Sequence, residues 1–89
     1  MEIRFSPRFR KQYTKSNQKI KVSFHKRLKI FEQNHNHPLL KNHSLAGNYK
    51  GLRSINITGD WRAVYREKRT NDKLEITFVA LGTHSQLYG

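Results

Sequence analysis

Two hydrophobic periods divide the chain. Residues 1–5 alternate, with Ile3 and Phe5 on one side, which predicts a short strand. Ser6-Pro7 follows, a helix-capping residue ahead of a proline suited to the first helical position. Phe9 and Tyr13, four apart, mark one face of a short helix. Ser16-Asn17 interrupts it and can cap a longer helix, in which Ile20, Phe24, Leu28 and Phe31 recur at spacings of four, four and three. The segment Asn34-His35-Asn36-His37-Pro38 ends that helix.

From Leu52 onward the period becomes that of strands. Leu52 to Ile57 is the first, and Thr58-Gly59-Asp60 makes a tight link to a second, Trp61 to Arg66. Thr70-Asn71-Asp72 is the next turn, and Leu74, Ile76 and Phe78 alternate in a third strand running to about Leu81. Links this short join only antiparallel neighbours, so the three strands form a meander. Residues 82–89 read as a turn with a single helical turn. The expectation is one α+β domain, residues 1–89: two N-terminal helices packed on one face of an antiparallel sheet, with the other face, or its concavity, free to work.

Charge adds the first functional information. Eighteen Lys and Arg against six Asp and Glu give a formal net charge of +12 in 89 residues. Residues 1–45 carry +9 of it, and the run from Arg8 to Lys29 holds nine bases and no acid. A field of this kind draws polyanions, nucleic acid above all. Ten aromatic residues supply material for a core. The absence of Cys excludes disulfides, thiolate metal sites and Cys nucleophiles, and suits a reducing cytoplasm. No signal peptide and no apolar run long enough to cross a bilayer is visible, so a cytoplasmic protein with no membrane partner is expected.

The chemistry available is that of His, Asp and Arg. His35-x-His37 and His43 lie close in sequence but have no carboxylate among them, and no metal site is expected. No phosphate-cradling glycine loop is present, and no cofactor is expected. A polar concentration stands on or beside the strands: His43, Lys50, Arg53, Asp60, Trp61, Arg62, His84 and Tyr88. Cleaving RNA needs a base for the ribose 2′-OH, an acid for the leaving 5′ oxygen, and cations for the transition-state charge. His suits either proton-transfer role, Arg holds two phosphate oxygens, and Trp61 or Tyr88 can stack on a base. Each residue also has a structural alternative. Trp61 can belong to the core, Asp60 can cap its turn, Arg53 and Arg62 can be solvated strand positions, and His84 can bond to backbone.

The segments FSPRFRKQYTK, HSLAGNYKGLRSINITGDWRAVYR and LGTHSQLYG stand in one register. Together they resemble the RelE/ParE superfamily of toxins from type II toxin–antitoxin systems, nearest its RelE/StbE and YafQ-like mRNA interferase branch. The resemblance covers essentially the whole chain. It implies a β-α-α-β-β-β(-β) fold of the RelE-like microbial RNase type and a metal-independent endoribonuclease that cuts mRNA on the ribosome. It also implies engagement of 16S ribosomal RNA and inhibition by a cognate antitoxin.

By that resemblance His43, Asp60, Arg62, His84 and Tyr88 are the catalytic set, with His84 and Asp60 in proton transfer and His43 assisting or positioning the RNA; Arg53 and Trp61 bind RNA, and Lys50 joins them on its charge and place beside the strands. The chain departs from the YafQ-like pattern at two positions. Asn56 stands where a second strand His is expected, and Ala80 where an Arg precedes the terminal His. Arg62 can replace the lost charge. The alternatives are a ParE-type toxin acting on DNA gyrase, a degenerate toxin that only binds its antitoxin, or a plain nucleic-acid-binding module.

Overall fold

The structure is a computed structural model and describes residues 1–88. Strand β1 (Glu2–Phe5) runs directly into α1 (Pro7–Lys15). The Ser6 hydroxyl accepts the Phe9 N–H at 3.1 Å and Pro7 opens the helix. After Ser16, the Asn17 carboxamide accepts the Ile20 N–H at 3.0 Å and caps α2 (Gln18–Gln33). Each cap satisfies an N–H that has no partner inside its helix. Both helix starts therefore fall where the sequence predicts them.

The segment between α2 and the meander holds two short 3-10 turns, Pro38–Leu40 and Gly47–Tyr49, and a two-residue strand β2 (His43–Ser44). The meander follows as β3 (Leu52–Thr58), β4 (Trp61–Thr70) and β5 (Lys73–Thr83), and the chain folds back through α3 (His84–Tyr88). Gly59 and Asn71 turn the two hairpins at positive φ, +50° and +52°, conformations that Gly and Asn adopt at least cost.

The sheet has five strands in the order β1-β5-β4-β3-β2. The three-stranded meander is as expected, but β1 joins its far edge in parallel with β5, pairing Phe5 with Phe78. The sheet is thus mixed rather than wholly antiparallel. Strand β2 adds the opposite edge, with His43 beside Ser54 and Ser44 beside Arg53.

Period two assigns the faces. Ile55 and Ile57 of β3, Ala63 and Tyr65 of β4, and Ile76 and Phe78 of β5 point to the helices, where they meet Phe9, Phe24 and Phe31. All of these side chains are buried. Phe78 packs against Phe9, Phe24 and Phe31 with ring centroids 5.6–5.8 Å apart. Each buried ring contributes roughly 1.5–3 kcal/mol, so this cluster is the main apolar contribution to the fold. The opposite face carries a smaller cluster, Val64, Ala80 and Leu87, with Leu45, Leu52 and Tyr88 packed around it. That face is therefore free only in its concavity. The C-terminal helix covers part of it and turns the remainder into a cleft.

Candidate active site

The return of α3 onto the sheet begins with a local rule. Thr83-His84-Ser85-Gln86 is a capping box: the Gln86 N–H donates to the Thr83 hydroxyl at 3.2 Å, and the Thr83 N–H donates to the Gln86 carboxamide at 2.8 Å. The His84 N–H donates to the Asp60 carbonyl at 3.0 Å, tying the helix start to the β3–β4 turn. Gly82 permits the close approach, since a Cβ there would lie 3.0 Å from the Gln86 side-chain oxygen and 3.5 Å from Leu87. Leu87 is thereby buried and Tyr88 is drawn beneath the sheet. Tyr49 completes the closure: its hydroxyl donates to the Leu87 carbonyl, and its ring stands edge-on to Tyr88 at 5.3 Å.

The result is a cleft of about 320 Å³ lined by His43, Leu45, Ala46, Tyr49, Ser54, Arg62, His84 and Tyr88. Four of the five predicted catalytic residues meet here, brought from positions 45 residues apart in sequence at the extremes, His43 and Tyr88. His84 packs edge-on against Tyr88 at 4.8 Å. The His43 ring contacts the Lys41 carbonyl through Nδ1 at 2.9 Å. A carbonyl only accepts, so Nδ1 carries a proton, and Nε2 is the nitrogen that a neutral ring would present as a base.

Arg62 is held by one nitrogen. Its Nη1 donates to the Asn56 side-chain carbonyl at 2.6 Å, the Gly59 carbonyl at 2.9 Å and the Trp61 carbonyl at 3.0 Å. Nε and Nη2 make no hydrogen bond among the described residues, which leaves a guanidinium edge for a phosphate. Asn56, the departure from the YafQ-like pattern, is thus the side chain that seats Arg62.

The other predicted residues lie elsewhere. The Asp60 carboxylate is exposed in the β3–β4 turn, does not line the cleft and makes no hydrogen bond or ion pair among the described residues; Asp60 meets His84 through its backbone. Lys50 is exposed at the end of the second 3-10 turn. Arg53 and Trp61 share the parity of Ile55 and Ala63 and so belong to the helix-bearing face. The structure therefore does not bring them together with His84 in the cleft.

Arg53 Nε donates instead to the Asn42 side-chain oxygen at 2.8 Å, while the Asn42 amide donates to the Tyr65 hydroxyl at 2.7 Å and the His35 carbonyl at 3.0 Å. Trp61 packs against the main core and borders a separate hollow with Gln12, Lys15 and Gln86. His35 stacks on Phe31 at 4.7 Å and His37 accepts the Leu39 N–H at 3.1 Å. Among the described residues no three His, Asp or Glu are grouped as metal ligands.

A larger hollow of about 500 Å³ lies between β1, α1 and α2, lined by Phe5, Phe9, Tyr13 and Phe24. It gathers one histidine, His25, whose ring bonds to the Tyr13 hydroxyl at 2.7 Å. The cleft, with two histidines and a half-bound arginine, is the better equipped for acid–base chemistry on a phosphate.

A family profile described as bacterial toxin of type II toxin-antitoxin system, YafQ, matches residues 1–89. The chain belongs to the YafQ toxin family. It is 39% identical over 49 residues to the mRNA interferase toxin YafQ of Escherichia coli strain K12. That match takes in 55% of this chain and 49% of the relative, so the chain spans about half the length of the curated relative it matches.

The fold agrees over a greater length. YafQ from E. coli strain BL21(DE3) superposes with a TM-score of 0.71 at 25% identity, over 99% of this chain and 98% of that one. YafQ in the E. coli DinJ-YafQ complex gives 0.68 at 26% identity, with coverage of 99% and 98%. The YoeB/ParE toxin from Agrobacterium tumefaciens gives 0.76 at 17% identity over 94% and 99%, a likeness of fold alone.

Two further cleft residues of this YafQ-family chain, Ser54 and Tyr49, are not among the candidates read from sequence. Parity would have found Ser54, which alternates with Asn56 on the face opposite Ile55. Tyr49 has no such signal, because its place depends on a loop that only the folded sheet positions.

Proposed function

We propose that this chain is a bacterial toxin that cleaves mRNA on the ribosome by metal-independent acid–base chemistry, and that an antitoxin encoded with it holds it inactive. The observation that carries the proposal is the convergence of His43, His84, Arg62 and Tyr88 on one cleft of a YafQ-family fold. The E. coli relative named an mRNA interferase, and the YafQ structure in complex with DinJ, support the activity and the antitoxin. The reducing cytoplasm is the compartment where ribosomes and a cysteine-free toxin would meet.

In the proposed reaction the unprotonated Nε2 of His43 takes the proton of a ribose 2′-OH, and the 2′ oxygen attacks the adjacent phosphorus. The bond from phosphorus to the 5′ oxygen breaks, and His84 in its protonated form gives that oxygen its proton. The products are a 2′,3′-cyclic phosphate and a 5′-hydroxyl. Arg62 supplies its free guanidinium edge to the phosphate as charge builds in the transition state. Tyr88 and Tyr49 form the aromatic wall. Asp60 acts on the site by fixing the start of α3, and Lys50 adds to the field at the rim.

The basic surface of α1 and α2 is the proposed docking face for ribosomal RNA. Among the described residues the only ion pair is Arg4 with Glu2, so internal pairing neutralises little of the positive charge. Purified protein added to a reconstituted translation reaction tests the proposal, with new mRNA ends mapped by primer extension. Cuts within translated codons, absent for His84→Ala, are expected. An intact message with the unaltered protein would overturn the enzymatic reading in favour of a binding toxin.

A further inference from the structure

Among the described residues Ser54 is the one polar side chain besides tyrosine in the fully buried set, at 0% exposure, and its hydroxyl has no hydrogen-bond partner there. It sits in the middle of β3, directly across the strand pairs from His43 on one side and Val64 on the other. Residues so paired present their side chains on the same face, about 5 Å apart at Cβ. Asn56, which seats Arg62, follows two residues along that face. The hydroxyl therefore stands between the proposed base and the proposed phosphate cation, in the lining of the cleft. A second buried hydroxyl without a partner, that of Tyr88, belongs to the same lining.

Buried hydroxyls are nearly always bonded, because desolvating one with no partner is unfavourable. Alanine at position 54 would fill almost the same volume at no such cost. Nothing in the protein explains the hydroxyl, whereas a group entering the cleft would. We propose that Ser54 is a substrate-contacting residue whose hydroxyl donates to a phosphate oxygen of a bound ribonucleotide. Phosphate is the chemistry that fits, since it accepts only, and the free edge of Arg62 and the protonated His84 of the proposed reaction supply the matching donors and charge. The entering group reaches the hydroxyl by a side-chain adjustment of the cleft walls, and the bond forms where water is largely excluded and counts for more. This assignment deepens, and rests on, the reading of the cleft as an RNA-cleaving site.

The test is a titration of the intact protein and of Ser54→Ala, followed by NMR, with adenosine 3′-monophosphate, adenosine and inorganic phosphate as separate probes. The variant is expected to melt no lower than the unaltered protein, to bind adenosine 3′-monophosphate at least fivefold more weakly, and to treat adenosine as the unaltered protein does. Three outcomes overturn the proposal: equal affinity of both proteins for the 3′-monophosphate, no binding of it by the unaltered protein, or a lower melting temperature for the variant, which would mean the hydroxyl has an internal partner. A parallel assay on translated mRNA separates the two levels. Cleavage by the unaltered protein with equal nucleotide binding by Ser54→Ala removes Ser54 and leaves the enzyme. No cleavage, with weakened binding in the variant, keeps the phosphate contact and removes the enzyme.

Discussion

Replacing Asn42 with alanine should damage the protein more than any other single surface-proximal change, because Asn42 joins three separate elements. Its amide donates to the His35 carbonyl beyond α2 and to the Tyr65 hydroxyl of β4, and its oxygen accepts from Arg53 of β3. Two neutral hydrogen bonds contribute about 1 kcal/mol each, and one from a guanidinium about 1.5–3 kcal/mol when shielded. Arg53 is only half-buried and can recover water, so its share is taken below that range, at about 1 kcal/mol. The expected loss is about 3 kcal/mol, to which the orphaned Tyr65 hydroxyl in the core contributes.

For a chain of this length, an unfolding entropy of about 2 cal/mol/K per residue converts that loss to a fall in Tm of roughly 15 °C. Thermal melts followed by circular dichroism measure it, and a double-mutant cycle with Tyr65→Phe isolates the Asn42–Tyr65 bond. His43 is the next residue in a strand only two residues long, so the remaining folded protein should also cleave RNA more slowly. A Tm within about 3 °C of the unaltered protein would refute this reasoning, since it would mean that water replaces all three bonds at no cost.

Three further outcomes follow from the same structure. Burial pushes the Tyr65 phenol above the ordinary tyrosine range, against the opposing effects of the Asn42 hydrogen bond and the Arg53 charge. The stability this reflects is complete below the unfolded tyrosine value of about pH 10 and is lost as pH rises beyond it, so Tyr65→Phe should melt less steeply with alkali than the unaltered protein in paired scans. Gly82→Ala should cost about 1–3 kcal/mol by pressing the new methyl on Gln86 and Leu87, and should reduce cleavage more than stability, read as Tm and kcat side by side. Asn56→Ala should lower kcat/KM about tenfold, near 1.4 kcal/mol of transition-state stabilisation, by loosening Arg62 while leaving the melting temperature within a few degrees.

The helix caps at Ser6 and Asn17 and the hairpin turns at Gly59 and Asn71 were legible because each depends on one or two neighbouring residues. The helix-facing core was legible for a similar reason, as Ile20, Phe24 and Phe31 keep the helical period and Ile76 and Phe78 the strand period. The parallel pairing of β1 with β5 was not. It joins residues more than 70 apart, and Ile3 and Phe5 would look the same in any edge strand.

At the site, His43, Arg62, His84 and Tyr88 were found by the residue pattern and the family resemblance together. Arg53 and Trp61 carry the same chemistry but the opposite parity, which sets them beside Ile55 and Ala63 on the helix-bearing face and outside the cleft. Ser54 escaped for the opposite reason. A serine is chemically unremarked in a strand: parity places it on the cleft face, and its burial without a partner among the described residues gives that place a meaning.

The most direct test of the central claim concerns a single oxygen. A message with one 2′-deoxy nucleotide, placed immediately 5′ to a mapped cut, can be translated beside its all-ribose twin in the presence of the protein. If His43 and His84 drive attack by the 2′-hydroxyl, the ribose message is cut at that phosphate to a 2′,3′-cyclic end and the deoxy message survives there. Equal cutting of the two messages would contradict the mechanism, since the nucleophile would then be something other than the 2′-hydroxyl.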